Sequence, residues 1–351
     1  MLSVQIDDVT QTAFRVFALV SVVAIALCSS GCSKPEGEPS GHSGPVVISL
    51  EQGEVIKVAD AEHPLRNINY VAFSDVDEDD FVVIDGSRQI AFFDEYEYAF
   101  DLGERGPGPC ESEQPFVASI HEGRAFVIDR GRLLEFDLSD GSCVRERTMS
   151  SLRRASGILQ SDTGTFLLLP ALPGQDDVPI LFTLADDSTL TGMSVTNMDA
   201  PRVETPFPIR MAAPLRTHEE TLFFTPAFGT HMVRVDLRNG DVSSFDLKLD
   251  LSAEQTFDGL QEFLDYLNDG AERASNYFTT KEYIILASMK GNGSEASHFV
   301  RFYDYDGNML GGPVAVPGQV LDADDERIRV LAIDSVDAEP YIFQSLHFDV
   351  H

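Results

Sequence analysis

Two neighbouring stretches of the sequence repeat each other element for element, and that repeat leaves very few folds open to the chain. Residues 67–103, NINYVAFSDVDEDDFVVIDGSRQIAFFDEYEYAFDLG, hold four short apolar and aromatic runs separated by acidic or glycine-containing turns. Residues 113–149, EQPFVASIHEGRAFVIDRGRLLEFDLSDGSCVRERTM, hold the same four runs in the same order. FVVID is answered by AFVID, so that Asp85 and Asp129 each close a second run. QIAFFD is answered by RLLEFD, with Asp94 and Asp137 closing the third. Runs of this length between turn residues read as β-strands. Four such strands recurring at about 40 residues are the signature of a propeller blade.

Weaker copies of the unit follow at 156–195, 211–250, 276–316 and 320–351, which makes six. The last has three strands and then the chain ends, while Val46–Val58, VVISLEQGEVIKV, is a spare extended segment near the other end. A blade short of its outer strand exposes a sheet edge, and the spare segment can pair there. The expected fold is therefore all-β: a six-bladed β-propeller over 46–351, closed by an N-terminal strand. One segment breaks the pattern. In Ser252–Ala274, Phe257, Leu260, Phe263, Leu264 and Leu267 fall at helical spacing behind Ser252 as N-cap, which predicts an inserted amphipathic helix over 252–274. It is expected to lie flat on the propeller rim, with a lid over the funnel or a partner-binding helix as the other readings.

The segment before the propeller carries an address. Residues 16–28, VFALVSVVAIALC, have the length of a signal-peptide core and are short for a membrane span. They run into Ser29-Ser30-Gly31-Cys32, which resembles a lipobox, although Ser29 stands where a branched apolar residue is usual. This resemblance makes 1–31 a lipoprotein-type signal peptide, Cys32 the lipidated residue and 32–45 a disordered tether rich in Gly, Pro, Ser and Glu. A plain cleaved signal peptide and an uncleaved anchor are the alternatives. The expected location is outside the cytoplasm, tethered to a membrane and facing the periplasm or the cell surface.

Asp and Glu number 58 against 25 Lys and Arg, a net charge of −33, and only five of the bases are lysines. Such a surface repels nucleic acid and anionic lipid headgroups, so nucleic acid is excluded as a partner and the membrane is reached through the lipid alone. Acid excess with so few lysines reads as halophilic adaptation; an ordinary acidic exported protein is the plainer alternative.

At the first unit and its exit loop the sequence resembles the NHL-type propellers, and more closely the six-bladed β-propeller lipoproteins of bacterial envelopes. The matching residues are Val83 to Ile90 (VIDGSRQI), then Phe93-Asp94, then Gly103 to Pro109 (GERGPGP). The likeness covers about residues 67–140 and implies the fold more than any activity.

Strand order suggests where function would sit. Arg88, Arg130 and Arg132 lie in turns between second and third strands, and Arg105 lies in a crossover between blades; both kinds of turn open on one face of the disc. An anion-binding face built from these four arginines is the sharper expectation, and ordinary surface arginines paired with Asp85 and Asp129 the plainer one. Asp75, Asp77 and Asp79 imitate the start of a calcium loop, but Asp80 and Gly86 break the EF-hand pattern. The histidines are scattered, with no metal-ligand spacing, no nucleophile motif occurs, and no catalytic residue, metal or cofactor is expected. The resulting expectation is a binding module of the cell envelope for a protein or small anionic ligand. A metal-dependent hydrolase or lyase with its site in the central funnel, and a structural role in an envelope assembly, are the alternatives. Of the four cysteines, Cys110 and Cys143 fall in the propeller. A strand of six or seven residues, near 20 Å, separates their expected positions, beyond the reach of a disulfide, so both are expected as free thiols.

Overall fold

FVVID and AFVID are apolar at every position before the aspartate, so each must be covered on both faces, unlike a strand with one wet side. The computed structural model places each of them second in a four-stranded antiparallel sheet. It describes residues 48–57, 68–74, 79–170, 179–193, 195, 202–203, 215–225, 230–250, 255–291, 296–332 and 342–350. The leader, Cys32, the tether and Asp75 and Asp77 lie outside these residues.

Blade one runs from the inside outward as Ile68–Phe73, Phe81–Asp85, Ile90–Asp94 and Glu97–Asp101; blade two as Pro115–His121, Arg124–Asp129, Arg132–Asp137 and Cys143–Thr148. Blade three is Gly157–Ser161, Gly164–Leu168, Leu181–Leu184 and Leu190–Gly192, and blade four Leu215–His218, Thr221–Phe224, His231–Asp236 and Val242–Asp246. Blade five is Arg273–Thr279, Ile284–Lys290, Ser297–Tyr303 and Met309–Val316. Blade six takes Gln319–Ala323, Arg327–Ala332 and Ile342–Val350 from the end of the chain and its outer strand, Ile48–Lys57, from the beginning. That strand pairs antiparallel from Ile48 opposite Val350 to Lys57 opposite Ile342. The expected closure is present.

Side chains alternate across a strand, so one second strand feeds two junctions. Phe81 and Val83 pack with Leu321, Leu331 and Phe343 of blade six, whereas Val82 and Ile84 pack with Ala118, Val127 and Phe136 of blade two. Similar clusters fill the other four junctions, so the ring has one apolar seam between each pair of blades. The closing junction also holds a charged knot. Arg329 is fully buried, with Nη1 2.6 Å from Asp322 Oδ2, Nη2 3.2 Å from Asp324 Oδ2 and Nε donating to Tyr96 Oη at 2.8 Å. Its guanidinium lies 5.3 Å from the Phe73 ring centre. Burial raises the Asp322 carboxyl above its ordinary range even though Arg329 pulls it down.

The inserted helix is shorter than its sequence pattern. It spans Leu260–Asn268 with Gly259 as N-cap, and Ser252 lies outside the described residues. Thr256–Phe257 instead forms a short parallel pairing with Arg202–Val203. Phe257 packs on Phe263 at 5.1 Å between ring centres. Gly270, at φ +93°, supplies the left-handed residue on which helices commonly end, and the chain then enters blade five at Arg273. The expected helix overran its first end because Phe257 serves a strand pairing, and its last because the chain past Gly270 enters blade five at Arg273.

Candidate functional site

The two register-matched aspartates do different work. Asp85, buried at the end of its strand, folds its own turn: Oδ1 accepts from Ser87 N at 2.8 Å, Ser87 Oγ at 2.7 Å and Gln89 N at 3.0 Å. Asp129, equally buried, holds the crossover arriving from blade one, accepting from Glu113 N at 3.0 Å and Gln114 N at 2.5 Å.

The four arginines divide in the same way. Arg132 is nearly buried and stitches the crossover down, pairing with Asp129 and donating to Gly108 O at 3.0 Å and Glu111 O at 2.7 Å. Arg130 grips Glu113 through both carboxylate oxygens, at 3.2 and 3.1 Å. Neither matches the expectation of a shared anion face. Arg88 and Arg105 do share a site: with Ser87, Gln89, Asp101 and Glu104 they line a 640 Å³ cleft where blade one meets its exit loop. Arg88, held at φ +71° by the turn that Asp85 folds, reaches Glu113 O at 3.4 Å. Arg105 is exposed, and its guanidinium has no ion-pair partner among the described residues.

Two acidic residues of the cleft escaped the sequence reading. Asp101 accepts from Gln89 Nε2 at 2.6 Å and from Tyr98 Oη at 3.1 Å, so its charge is partly occupied. Burial, with the Asp101 charge added, pushes the Tyr98 phenol up to about 12 and keeps it a donor at neutral pH. Glu104 is exposed at the rim beside Arg105. Asp101 ends the fourth strand of blade one, and the pairing of that strand with the third, Asp101 opposite Ala91, brings it beside the turn that carries Arg88 and Gln89.

The exit loop is locked, and here the structure overturns the thiol expectation. Cys110 and Cys143 form a disulfide, with Cα atoms 5.9 Å apart. The expectation treated a blade as flat. Adjacent strands twist by about 20–25° each, so the fourth strand lies about 60–75° from the first. Such twist shortens the path between the start of an outer strand and the loop leaving the previous blade, and here Cys143, first residue of blade two's outer strand, lies beside that loop. Cys110 N also donates to Glu146 of that strand at 2.7 Å.

A smaller cleft of 340 Å³ lies between blades four and five. The His218 ring stacks on Tyr305 at 4.0 Å, and Arg234 bonds the Tyr305 carbonyl and, at 3.1 Å, Ser243 Oγ. Its arginine is thus occupied, unlike Arg105.

No family model matches the chain, and no curated protein matches it. Among solved structures it is similar to BamB from Moraxella catarrhalis, at 12% identity and a TM-score of 0.46, over 85% of this chain and 100% of that one. It is also similar to the PQQ-bound aldose sugar dehydrogenase from Streptomyces coelicolor, at 11% identity and a TM-score of 0.49, over 87% and 99% of the two chains. The blade count rests on this chain's own sheets.

Proposed function

We propose that this chain is an exported, lipid-anchored binding module of the cell envelope, holding a carboxylate-bearing ligand in the cleft at Arg88 and Arg105. The observation that carries the reading is Arg105. In a chain with 58 acidic residues, its guanidinium stands exposed without an ion-pair partner among the described residues. The loop around it is tied by a disulfide, Arg132 and Asp129, so a ligand meets a site already in shape and little ordering opposes binding. A guanidinium also suits a carboxylate through its paired donors. The ligand is a sugar acid or a carboxylate of an envelope protein.

The disulfide favours the exported reading, since such bonds persist in oxidising compartments. Mass spectrometry of the N-terminal peptide checks the anchor: a diacylglyceryl group on Cys32 is expected, and an intact leader would sink it. For the cleft, glucuronate is titrated while the arginine side-chain resonances are followed by NMR. Saturable shifts at Arg88 and Arg105 are expected, weakening as salt rises, and those at Arg88 should be lost in Arg105→Gln. An identical response in wild type and variant would remove the cleft as the site.

A further inference from the structure

On the opposite face, where first strands turn into second strands, His121 and Glu122 of blade two meet Asp162 of blade three. His121 Nε2 lies 3.2 Å from Asp162 Oδ1, and one donor atom from each of the three residues lies within 4.8 Å of the others. We propose that this junction binds a divalent transition-metal ion of the zinc type, with His121, Glu122 and Asp162 as ligands from two adjacent blades.

The corresponding junction of blades five and six supplies the second argument. There, too, a first turn reaches the next blade's first turn, but the bridging group is a cation of the chain: Lys281 Nζ sits 2.5 Å from Asp325 Oδ2, and Lys281 N donates to Oδ1 at 2.6 Å. At the blade two–three junction the chain places Glu122 and Asp162 together instead. No lysine or arginine among the described residues pairs with either carboxylate. The nearby Arg124, opposite His121 in the strand register, is engaged by Glu135. Two like charges so close oppose each other unless a cation joins them.

The donor set selects the ion. An imidazole nitrogen with two carboxylates suits zinc and its neighbours, whereas calcium and magnesium take oxygen alone. Zinc ligands at about 2.0–2.2 Å stand about 3.4 Å from one another in a tetrahedron, close to the His121–Asp162 separation. The His121 side chain is only 12% exposed and fixed at a strand end, while Asp162 is 86% exposed and free to adjust. Remaining coordination positions face solvent, as in open zinc sites. Such an ion would bridge blades two and three by coordination, where Lys281 and Asp325 use an ion pair.

Zinc chloride titrated calorimetrically into the whole chain tests this, with His121→Ala and Asp162→Asn beside it and Asp140→Asn as a surface-charge control. One saturable equivalent is expected in wild type and in the control, weaker by at least about tenfold in each ligand variant. Because Asp162 is an exposed carboxylate, its replacement leaves the core intact and keeps the test valid should His121→Ala misfold. The His121 ring resonances should shift at one equivalent. Zinc uptake that survives both substitutions, or that leaves those resonances unmoved, overturns the site and leaves only diffuse attraction to an acidic surface.

Discussion

In blade five, Glu272 and Arg301 are both buried, and each satisfies the other. Arg301 Nη2 lies 2.8 Å from Glu272 Oε2, Nη1 bonds Oε1, and Ser288 Oγ donates to Oε1 at 2.6 Å. Burial alone would raise the Glu272 carboxyl; the hydrogen bonds from Arg301 and Ser288 overcome it, and the net shift is downward. The sign follows. Above the unfolded value of about 4.3 the pair contributes fully. As pH falls from there through the lower folded value, the unfolded chain takes up the proton first and the contribution drains. Glu272→Gln should cost about 3–5 kcal/mol at neutral pH, because Arg301 keeps its charge and loses its counterion. Urea denaturation at pH 7 and at pH 3 checks this: the gap between wild type and variant should narrow in acid, and a constant gap would refute the linkage. Sequence reading did not find this pair. Glu272 stood at the end of a helical pattern and Arg301 in a strand, and nothing in either segment announces the other. Arg130 and Arg132 show the same limit, since their residue types fit an anion site and their partners make them clamps.

At the scale of elements, the crossover from blade one to blade two decides the candidate cleft. Its backbone is tied within itself, Ser112 N to Glu104 O at 2.8 Å and Gly106 N to Ser112 O at 3.0 Å, and the Cys110–Cys143 bond fixes it to the outer strand of blade two. With a sequence separation of 33 between the cysteines, a chain-entropy argument makes the bond worth about 3–4 kcal/mol. Replacing both cysteines by serine should lower stability by that order in thermal or urea denaturation. Ligand binding should weaken as well, since the loop then samples other shapes. A variant as stable as wild type would show that the hydrogen bonds alone hold the loop. The strands themselves were legible: FVVID and QIAFFD, closed by Asp85 and Asp94, match the strands Phe81–Asp85 and Ile90–Asp94 to within a residue, because alternation and turn residues are local signals. The helix was legible only in its middle. Gly270 was the available stop signal, three residues past Leu267, the last apolar residue of the pattern, and the expected bounds ran beyond it.

At the scale of the molecule, a net charge of −33 works against any compact state. Salt shortens the Debye length from about 10 Å at 0.1 M to about 3 Å at 1 M. Surface pairs such as Lys248–Asp246 lose little by this, since exposed pairs contribute about 1 kcal/mol or less. The melting temperature is expected to rise between dilute and molar sodium chloride, by about 2 °C or more. A flat or falling curve would end the halophilic reading. The residues alone determined the number of blades, the strands within them and the closing strand, because these follow from period-two burial and from the need to cover a sheet edge. They also determined the charge. Only the tertiary structure decided which arginine stays open, that Cys110 meets Cys143, and that His121 meets Asp162. Each depends on how segments distant in the chain pack, a crossover loop against an outer strand or one blade's first turn against the next, a quantity that no stretch of sequence carries by itself.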